Sequence, residues 1–431
     1  MSSLFGALHT AVSGLSAQST AFGNISDNVA NSQTVGYKRT DTNFTDYLTT
    51  STAVTNDSGF VAATPDYRND VQGTIASSDN ATALAISGNG FFQVTSASTN
   101  TTNQEVLGTT TQYTRDGNFT MDKNGYLVND AGEAVNGWAA DSSGVVNQTT
   151  MAPLKVDQSA FQPKATSSVT LSANLPATPS TTDAQSSQVN VYDAQGTLHT
   201  LALSWTPDTT ASNTWNLSVS EDGSTTPIGT STVTFNDGSV AGQPAGTIES
   251  VTPDSGGLTT GGTGSAAVLN VPLAGGGQSI ALNLGTFNKS DGLTQFAGTA
   301  YTLNSATQDG IPPGAFSGIS TQSNGNIVAN YDNGQSRTIG QVPIVQFANP
   351  DALQKQDGQV YTATAQSGPA TIKTAGSNGA GNLVTSATEG SNVDIASEFT
   401  KLIVAQRAYS ANTKMITTAD DMLQQTIDMK R

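Results

Sequence analysis

The chain has 431 residues, of which 33 are acidic and 16 basic, and its formal net charge is −17. This acidic excess predicts no binding to nucleic acid or to anionic membranes, because both would repel the chain. Only 11% of the residues are charged, less than half the usual fraction of about 25%, so Thr, Ser, Asn, Gln and Gly must form most of the surface. The absence of cysteine excludes disulfides and Cys-ligated metal sites. With only two histidines, His9 and His199, we expect no catalytic residues, no cofactor and no metal site.

Residues 4–29 have the spacing of a long helix with a heptad seam. Asp27 is the only charged side chain in the first 30 residues. A helix that paired with only one neighbour would be expected to carry Glu and Lys on its solvent-exposed face. We therefore expect other protein to cover this helix on more than one side, with an ordinary intramolecular helix pair as the alternative. The predicted seam consists of Leu4, Leu8, Ala11, Leu15, Phe22, Ile25 and Val29, with Gln18 as a polar interruption.

The C-terminal 40 residues repeat this pattern. Ser391 and Asp394 form a Ser-x-x-Asp sequence that predicts a helix start. The seam that follows consists of Ile395, Phe399, Leu402, Gln406, Tyr409, Ile416, Leu423 and Ile427, with Thr413 and Asp420 as further polar members. A second apolar stripe is formed by Ile403, Met415, Met422 and Met429. Two apolar faces indicate more than one neighbour.

Between the helices, short apolar runs alternate with turn dipeptides such as Asn124-Gly125 and Asn333-Gly334. The predicted class is mainly β with long α-helical termini: paired N- and C-terminal coiled-coil helices and nested, discontinuous β-domains in an elongated molecule. We expect residues 1–30 and 390–431 to form the terminal domain, 31–70 a connecting segment without clear periodicity, 71–142 with 309–389 an inner β-domain, and 143–308 an inserted outer β-domain. Residues 254–277 are expected to be the most loosely structured stretch.

Three local patterns suggest chemistry but have simpler interpretations. Residues 253–257 resemble the surroundings of a protease serine, yet they lie in a Gly/Thr-rich stretch that predicts a loop. Residues 122–125 resemble the start of a calcium loop, but no Glu closes it, and a type I′ hairpin turn is expected instead. His199 alternates with Leu198 and Leu201, which predicts a solvated or satisfied side chain in a strand.

Targeting signals are also missing from the sequence. The first basic residue is Lys38, so we expect no Sec-type signal peptide, which would need a positive start. No run of about 18 apolar residues predicts a transmembrane helix.

Several motifs together resemble the bacterial flagellar rod and hook protein family. Near the termini these are ANSQTVGYK at 30–38, EGSNVD at 389–394 and IVAQRAY at 403–409. In the β region they are GNGFF at 88–92 and YTRDGNF at 113–119. Within the family, residues 191–196 and 293–296 are similar to the outer domain of hook subunits, which distal rod proteins lack. The resemblance implies that Asn31, Thr34, Gly36 and Tyr37 set the turn out of the first helix.

The resemblance also implies a function. It is that of a structural subunit, without enzymatic activity, that polymerises with itself through the terminal seams into a curved, flexible hollow tube and transmits torque from rod to filament. Its partners would be the distal rod protein, the hook cap and the hook–filament junction protein at the ends, and the flagellar type III export apparatus, which would carry the subunit out of the cell. The alternatives are a distal rod protein and a secreted β-rich adhesin or binding module.

Overall fold

The computed structural model describes residues 2–51, 56–99, 105–179, 184–273, 277–298 and 300–429. It confirms a mainly β chain with one long helix at each terminus, α1 (Ser2–Ala30) and α2 (Ile395–Asp428). The chain forms two compact units. The first unit contains residues 1–158, 317–330 and 336–431, and the second contains 159–316 and 331–335.

Helix α2 begins where the sequence changes from polar loop to helical period. Its N-cap is Asp394, whose side chain accepts a hydrogen bond of 2.9 Å from the Ser397 backbone N–H. This satisfies one of the backbone donors that have no partner inside the first turn. Ser391, the first residue of the predicted cap pattern, lies outside the helix. None of the described helices is long and apolar enough to cross a membrane.

The segment after α1 is more regular than its sequence indicates. Strands β1 (Thr40–Ser51) and β2 (Asn56–Tyr67) form a two-stranded antiparallel ribbon. The sequence of residues 31–70 has no clear periodicity, yet the segment contains two long strands, since Thr-rich sequence favours strands through β-branching. The ribbon lies against α1, where Val61 N donates to Ser13 Oγ at 3.0 Å.

The other strands of the first unit belong to one large sheet and three strand pairs. The large sheet has the order β22-β23-β24-β9-β5-β6-β27-β26, with β10 and β8 on β9 and β7 on β8. The pairs are β3 with β30, β4 with β29, and β25 with β28. Their bounds are β3 (Ile75–Ser77), β4 (Leu84–Ser87), β5 (Phe92–Thr99), β6 (Glu105–Thr114), β7 (Thr120–Met121), β8 (Leu127–Val128), β9 (Glu133–Ala140), β10 (Val146–Pro153), β22 (Phe316–Thr321), β23 (Asn326–Tyr331), β24 (Ser336–Gln341), β25 (Ile344–Gln346), β26 (Gln354–Lys355), β27 (Val360–Thr362), β28 (Thr371–Lys373), β29 (Asn382–Thr385) and β30 (Ala387–Glu389), with a 3₁₀ turn at Pro350–Ala352.

The hairpin turn between β7 and β8 differs in type from the prediction. Asp122 Oδ1 accepts hydrogen bonds from the backbone of Asn124 at 2.9 Å and of Tyr126 at 2.7 Å. Among residues 122–125, Gly125 alone has a positive φ, of 89°. A type I′ turn needs a positive φ at both of its central residues. The turn is therefore a type I turn that ends in a left-handed glycine.

The second unit is built from two sheets with a common core. Five antiparallel strands form a meander in the order β12-β13-β14-β15-β16, and the second sheet has the order β17-β18-β19-β11-β20, with β21 on β11. Trp205 and Trp215 are fully buried in the core. The bounds are β11 (Ser168–Asn174), β12 (Gln185–Tyr192), β13 (Leu198–Pro207), β14 (Thr214–Glu221), β15 (Gly229–Phe235), β16 (Ile248–Gly256), β17 (Thr259–Gly261), β18 (Ala266–Pro272), β19 (Ser279–Thr286), β20 (Leu293–Thr294) and β21 (Thr302–Gln308).

One stretch of the second unit contradicts the sequence analysis. Residues 254–277 were expected to be loose, but they include the end of β16, all of β17 and all of β18. Leu269 and Val271 of β18 are fully buried in the core. Residues 274–276 lie outside the described part of the chain. Gly257, Gly262 and Gly264 lie between these short strands, and such glycines made the sequence look loose.

Candidate assembly site at the paired termini

Helices α1 and α2 pack against each other through small and polar side chains. On α2 the buried residues are Glu398, Ala405 and Ala419, which are separated by multiples of seven positions. A Cβ on Gly14 would lie 2.9 Å from Asn412 Nδ2, so the backbone of α1 comes close to α2 there. The Phe22 and Tyr409 rings meet edge to face with centroids 6.2 Å apart.

The predicted seam of α1 is largely shielded from solvent. Ala11 and Ile25 are buried, and four further members are half-buried: Leu8, Leu15, Phe22 and Val29. The side chain of Leu4 lies outside the described part of the chain. Ala17 and Ala21 are also buried, although the predicted seam, which is defined mainly by large apolar residues, does not include them. With α2 and the β1–β2 ribbon against it, α1 is covered on more than one side within the chain itself.

The predicted seam of α2 divides between two environments. Leu402, Ile416 and Leu423 are half-buried. The other members are exposed: Ile395, Phe399, Gln406, Tyr409 and Ile427. The second stripe, Ile403, Met415, Met422 and Met429, is exposed as well, at 50–83%. A single chain therefore leaves most large apolar side chains of α2 in contact with water.

Two grooves run beside the helix pair. One, of about 380 Å³, is lined by parts of α1, β1 and α2, including Ile25, Phe44 and Val404. The other, of about 470 Å³, is lined by residues that include Leu8, Met415 and Met422. Both grooves have mainly apolar walls.

The turn out of α1 brings the four predicted residues together. Asn31 Nδ2 donates to Asp27 O at 2.9 Å, and Thr34 Oγ1 donates to Asn31 Oδ1 at 3.1 Å. Gly36 has φ +71°, and a Cβ there would lie 2.5 Å from Asp116 N. Only glycine fits this position, because conformation and space both exclude a side chain.

Asn28 connects this turn to both helices. Its Oδ1 accepts from Tyr37 Oη at 3.1 Å and from Thr40 N at 2.9 Å. Its Nδ2 donates to Thr40 O at 3.0 Å and to Glu398 Oε2 at 3.1 Å. Asn28 is 1% exposed. Asn28 is not among the residues predicted from the sequence, although an Asn at a buried helix position is itself a signal of a specific hydrogen-bond partner.

Charges near Asn28 shape the local electrostatics. Burial, together with the carboxylates of Asp27 and Glu398, raises the pKa of Tyr37 to about 12. Lys401 Nζ donates to Glu398 Oε1 and to Asp41 Oδ1, each at 2.6 Å. Burial alone would raise the pKa of Asp41, but the hydrogen bond from Lys401 and the charge of Arg39 lower it overall. The start of α2 is thus tied to β1 by ionic hydrogen bonds.

A second buried network holds the segments that follow α1 and precede α2. Glu389 Oε1 accepts from Lys38 Nζ at 2.5 Å and from Gly73 N at 2.7 Å, and Glu389 Oε2 accepts from Arg115 Nη1 at 2.9 Å. Lys38, Arg115 and Glu389 are each at most 2% exposed. Burial lowers the pKa of Lys38, and the charge of Glu389 opposes this shift. The network can hold chain segments together. It joins three of the five sequence motifs described above, those at 30–38, 113–119 and 389–394.

Three family models match the chain. They are the "Flagella basal body rod protein" over residues 8–38, the "Flagellar basal body protein FlaE D2 domain" over 141–311, and the "Flagellar basal body rod FlgEFG protein C-terminal" over 384–429. The first and third cover both helices of the contact and include Asn28, Lys38 and Glu389, whereas Arg115 lies outside them. The second covers most of the second compact unit.

Relatives match the chain over its whole length. The "Flagellar hook protein FlgE" of Brucella abortus is 32% identical over 434 residues, covering 100% of both chains. The protein of that name from Rhizobium meliloti is 30% identical over 437 residues, again with 100% of both chains covered. The one from Salmonella typhimurium is 31% identical over 438 residues, covering 97% of this chain and 99% of the relative. The chain therefore belongs to the family of flagellar hook proteins, the structural subunits of the bacterial flagellar hook.

Proposed function

We propose that the chain polymerises with copies of itself into the curved, flexible hollow tube of the hook, transmits torque from rod to filament, and has no enzymatic activity. The observation that carries this proposal is the exposed apolar face of α2. Phe399, Val404 and Met415 are 52%, 62% and 56% exposed in the single chain. An apolar patch of this kind marks an interaction surface.

Burial of these side chains supplies the driving force for assembly. Covering one large apolar side chain is worth about 1.5–3 kcal/mol. The face continues along α2 at helical spacing, so neighbouring copies can pack their terminal helices on it as coiled-coil layers. In this proposal the predicted seams of α1 and α2 carry the contacts, with the turn formed by Asn31, Thr34, Gly36 and Tyr37 fixing where the helix pair leaves the β-structure.

Family membership supports a proposal for the remaining partners. We propose that the tube starts on the distal rod protein, grows under a hook cap and ends at the hook–filament junction protein. The subunit would leave the cell through the flagellar type III export apparatus. The lack of cysteine supports this route, because a chain that travels unfolded cannot then form disulfide cross-links.

The test compares two charge insertions on α2. Met415→Asp places a carboxylate on the exposed apolar face, whereas Gln425→Asp adds the same charge at an exposed polar position of the same helix. We expect Met415→Asp to raise the critical concentration for polymerisation about 10- to 100-fold, which corresponds to the loss of one buried side chain. Sedimentation and electron microscopy of the purified chain measure this, and Gln425→Asp should polymerise as the wild type does.

Two further variants test the contact between the helices. Leu15→Asp and Ile416→Asp introduce charge at half-buried positions of the two predicted seams, so polymerisation should be lost while circular dichroism still shows folded β-structure. Normal polymerisation of these variants, or of Met415→Asp, would contradict the proposal.

Deletion of the gene in the source bacterium separates the remaining alternatives. Electron microscopy should show complete rods without the curved segment and without filaments. Rods that stop short would assign the chain to the rod. Intact flagella would favour an adhesin that stays monomeric.

A further inference from the structure

Three side chains with metal-binding atoms converge at one end of the five-stranded sheet of the second unit. They are His199 on β13, Glu221 at the end of β14, and Asp222, which follows it. Their ligand atoms all lie within 4.8 Å of one another. Glu221 Oε1 and Asp222 Oδ2 are each 2.9 Å from His199 Nδ1. These distances would let a single cation be shared by the imidazole nitrogen and both carboxylates.

A fourth residue lies behind the imidazole. Asp193 Oδ2 is 3.6 Å from His199 Nε2, on the opposite side of the ring from Glu221 and Asp222. Histidines that bind metal commonly donate their other ring N–H to a carboxylate, which fixes the tautomer and the ring orientation. With the proton on Nε2, the Nδ1 lone pair faces the two remaining carboxylates.

The backbone holds both aspartates in place. Asp193 Oδ1 accepts from Gln195 N at 2.9 Å and from Thr197 N at 2.7 Å. Asp222 Oδ1 accepts from Thr200 N at 2.8 Å. In each residue one carboxylate oxygen is therefore fixed by the backbone, and the other is directed at His199. Such preorganisation is what a binding site requires.

The cluster also has room for further ligands. His199, Glu221 and Asp222 line a cavity of about 560 Å³, whose other walls include Pro227, Ile228 and Leu273. Glu221 is buried, while the side chain of Asp222 is 52% exposed. Water from the cavity can complete a coordination shell. One imidazole with two carboxylates suits Zn²⁺ and similar divalent ions better than soft metals, which prefer sulfur.

We propose that His199, Glu221 and Asp222 bind a divalent metal ion of the Zn²⁺ type, and that Asp193 is a positioning residue for His199. The ion would link β13 to the turn after β14 and so brace this end of the sheet. Binding requires a neutral imidazole.

Calorimetric titration of the full-length chain with Zn²⁺ at pH 8 tests the proposal. We expect one equivalent to bind and His199→Gln to weaken this binding more than tenfold. His9→Gln is the matched control, because His9 is the other histidine of the chain and should leave binding unchanged. Asp193→Asn should lower affinity about 10- to 100-fold and shift the Co²⁺ absorption spectrum, which a merely structural role would not do.

A second variant keeps the test decisive if His199→Gln fails to fold. Asp222 has φ +49°, a conformation that Asn tolerates well, so Asp222→Asn preserves the turn and removes one ligand charge. Weakened binding in this variant supports the site. Unchanged Zn²⁺ affinity in His199→Gln or Asp222→Asn, or no binding of one equivalent to the wild type, would overturn it.

Discussion

Lys38 Nζ lies 2.5 Å from Glu389 Oε1, and neither side chain is exposed to solvent. The two residues are 351 positions apart in sequence, so this ion pair joins the segment that leaves α1 to the segment that enters α2. Arg115 Nη1, at 2.9 Å from Glu389 Oε2, adds a second buried cation. One carboxylate thus compensates two positive charges, and we expect the stability of the first unit to depend on it.

Replacement of Glu389 tests this dependence. Glu389→Gln keeps the shape of the side chain but leaves Lys38 and Arg115 buried without a counter-charge, which typically costs about 3–5 kcal/mol. Urea unfolding measures the loss. Asp157→Asn is the control, because it breaks the exposed pair with Arg337 at 3.3 Å, worth at most about 1 kcal/mol. Equal losses in the two variants would mean that the buried network does not hold the unit together.

The buried carboxyl of Asp116 should make the free energy of unfolding depend on pH. Burial raises the pKa of its carboxyl from 3.8 to about 6, with a smaller contribution from Asp130. The folded chain therefore holds this proton at pH values where the unfolded chain has lost it, and stability falls as the pH rises from about 4 to 6. The shift corresponds to about 3 kcal/mol.

The neutral variant Asp116→Asn should not show this decrease in stability with rising pH. Asparagine can still accept the hydrogen bond from Asn118 N that Asp116 Oδ1 accepts at 3.0 Å. We expect the variant to exceed the wild type in stability at pH 8 and to match it near pH 4, measured by urea unfolding across the pH range. Asp141→Asn, in an exposed turn, should keep the slope of the wild type. A variant slope equal to that of the wild type would show that Asp116 is not the source.

The sequence predicted the helices and the β middle because both depend on local periodicity. Apolar spacing predicts the seam of α1, and a cap residue predicts the start of α2. Both signals lie within a short stretch of the sequence. The side of α2 that faces α1 was harder to predict from the sequence. Its buried members are Glu398, Ala405 and Ala419, whereas the large apolar residues that define the periodicity are only half-buried or exposed.

Contacts between distant segments account for most of what the sequence analysis missed. Asn28 donates a hydrogen bond to Glu398, which is 370 positions away in sequence. No local sequence pattern predicts such a partner. The four-residue cluster around His199 is similar, because β12, β13 and β14 must pair in register before Asp193 and Glu221 come near the same imidazole. Pairing register depends on the whole sheet and cannot be read from one strand.

Removal of the Asn28 side chain should loosen the junction of the termini. Asn28→Ala leaves Tyr37 Oη and the backbone of Thr40 buried without the partners they have now. Each unsatisfied group costs about 1–3 kcal/mol, so we expect faster hydrogen exchange in β1 and in the first turns of α2. Asn31→Ala is the control, since its hydrogen bonds stay within the local turn and exchange in α2 should not change. Unaltered exchange in both segments would contradict the role of Asn28.

Two glycines of α1 provide a matched test of the helix contact. A Cβ at Gly14 would lie 2.9 Å from Asn412 Nδ2, whereas a Cβ at Gly23 would meet nothing within 4 Å. Gly23→Ala should stabilise α1 by about 1 kcal/mol, the difference in helix propensity between the two residues. Gly14→Val should lower the thermal stability of the helices, because the branched side chain has to displace the Asn412 side chain from the helix contact, although valine itself favours a helix more than glycine does. Thermal unfolding followed by circular dichroism at the helix band measures both. Stabilisation by Gly14→Val would contradict the close contact with Asn412 from which the assembly site is built.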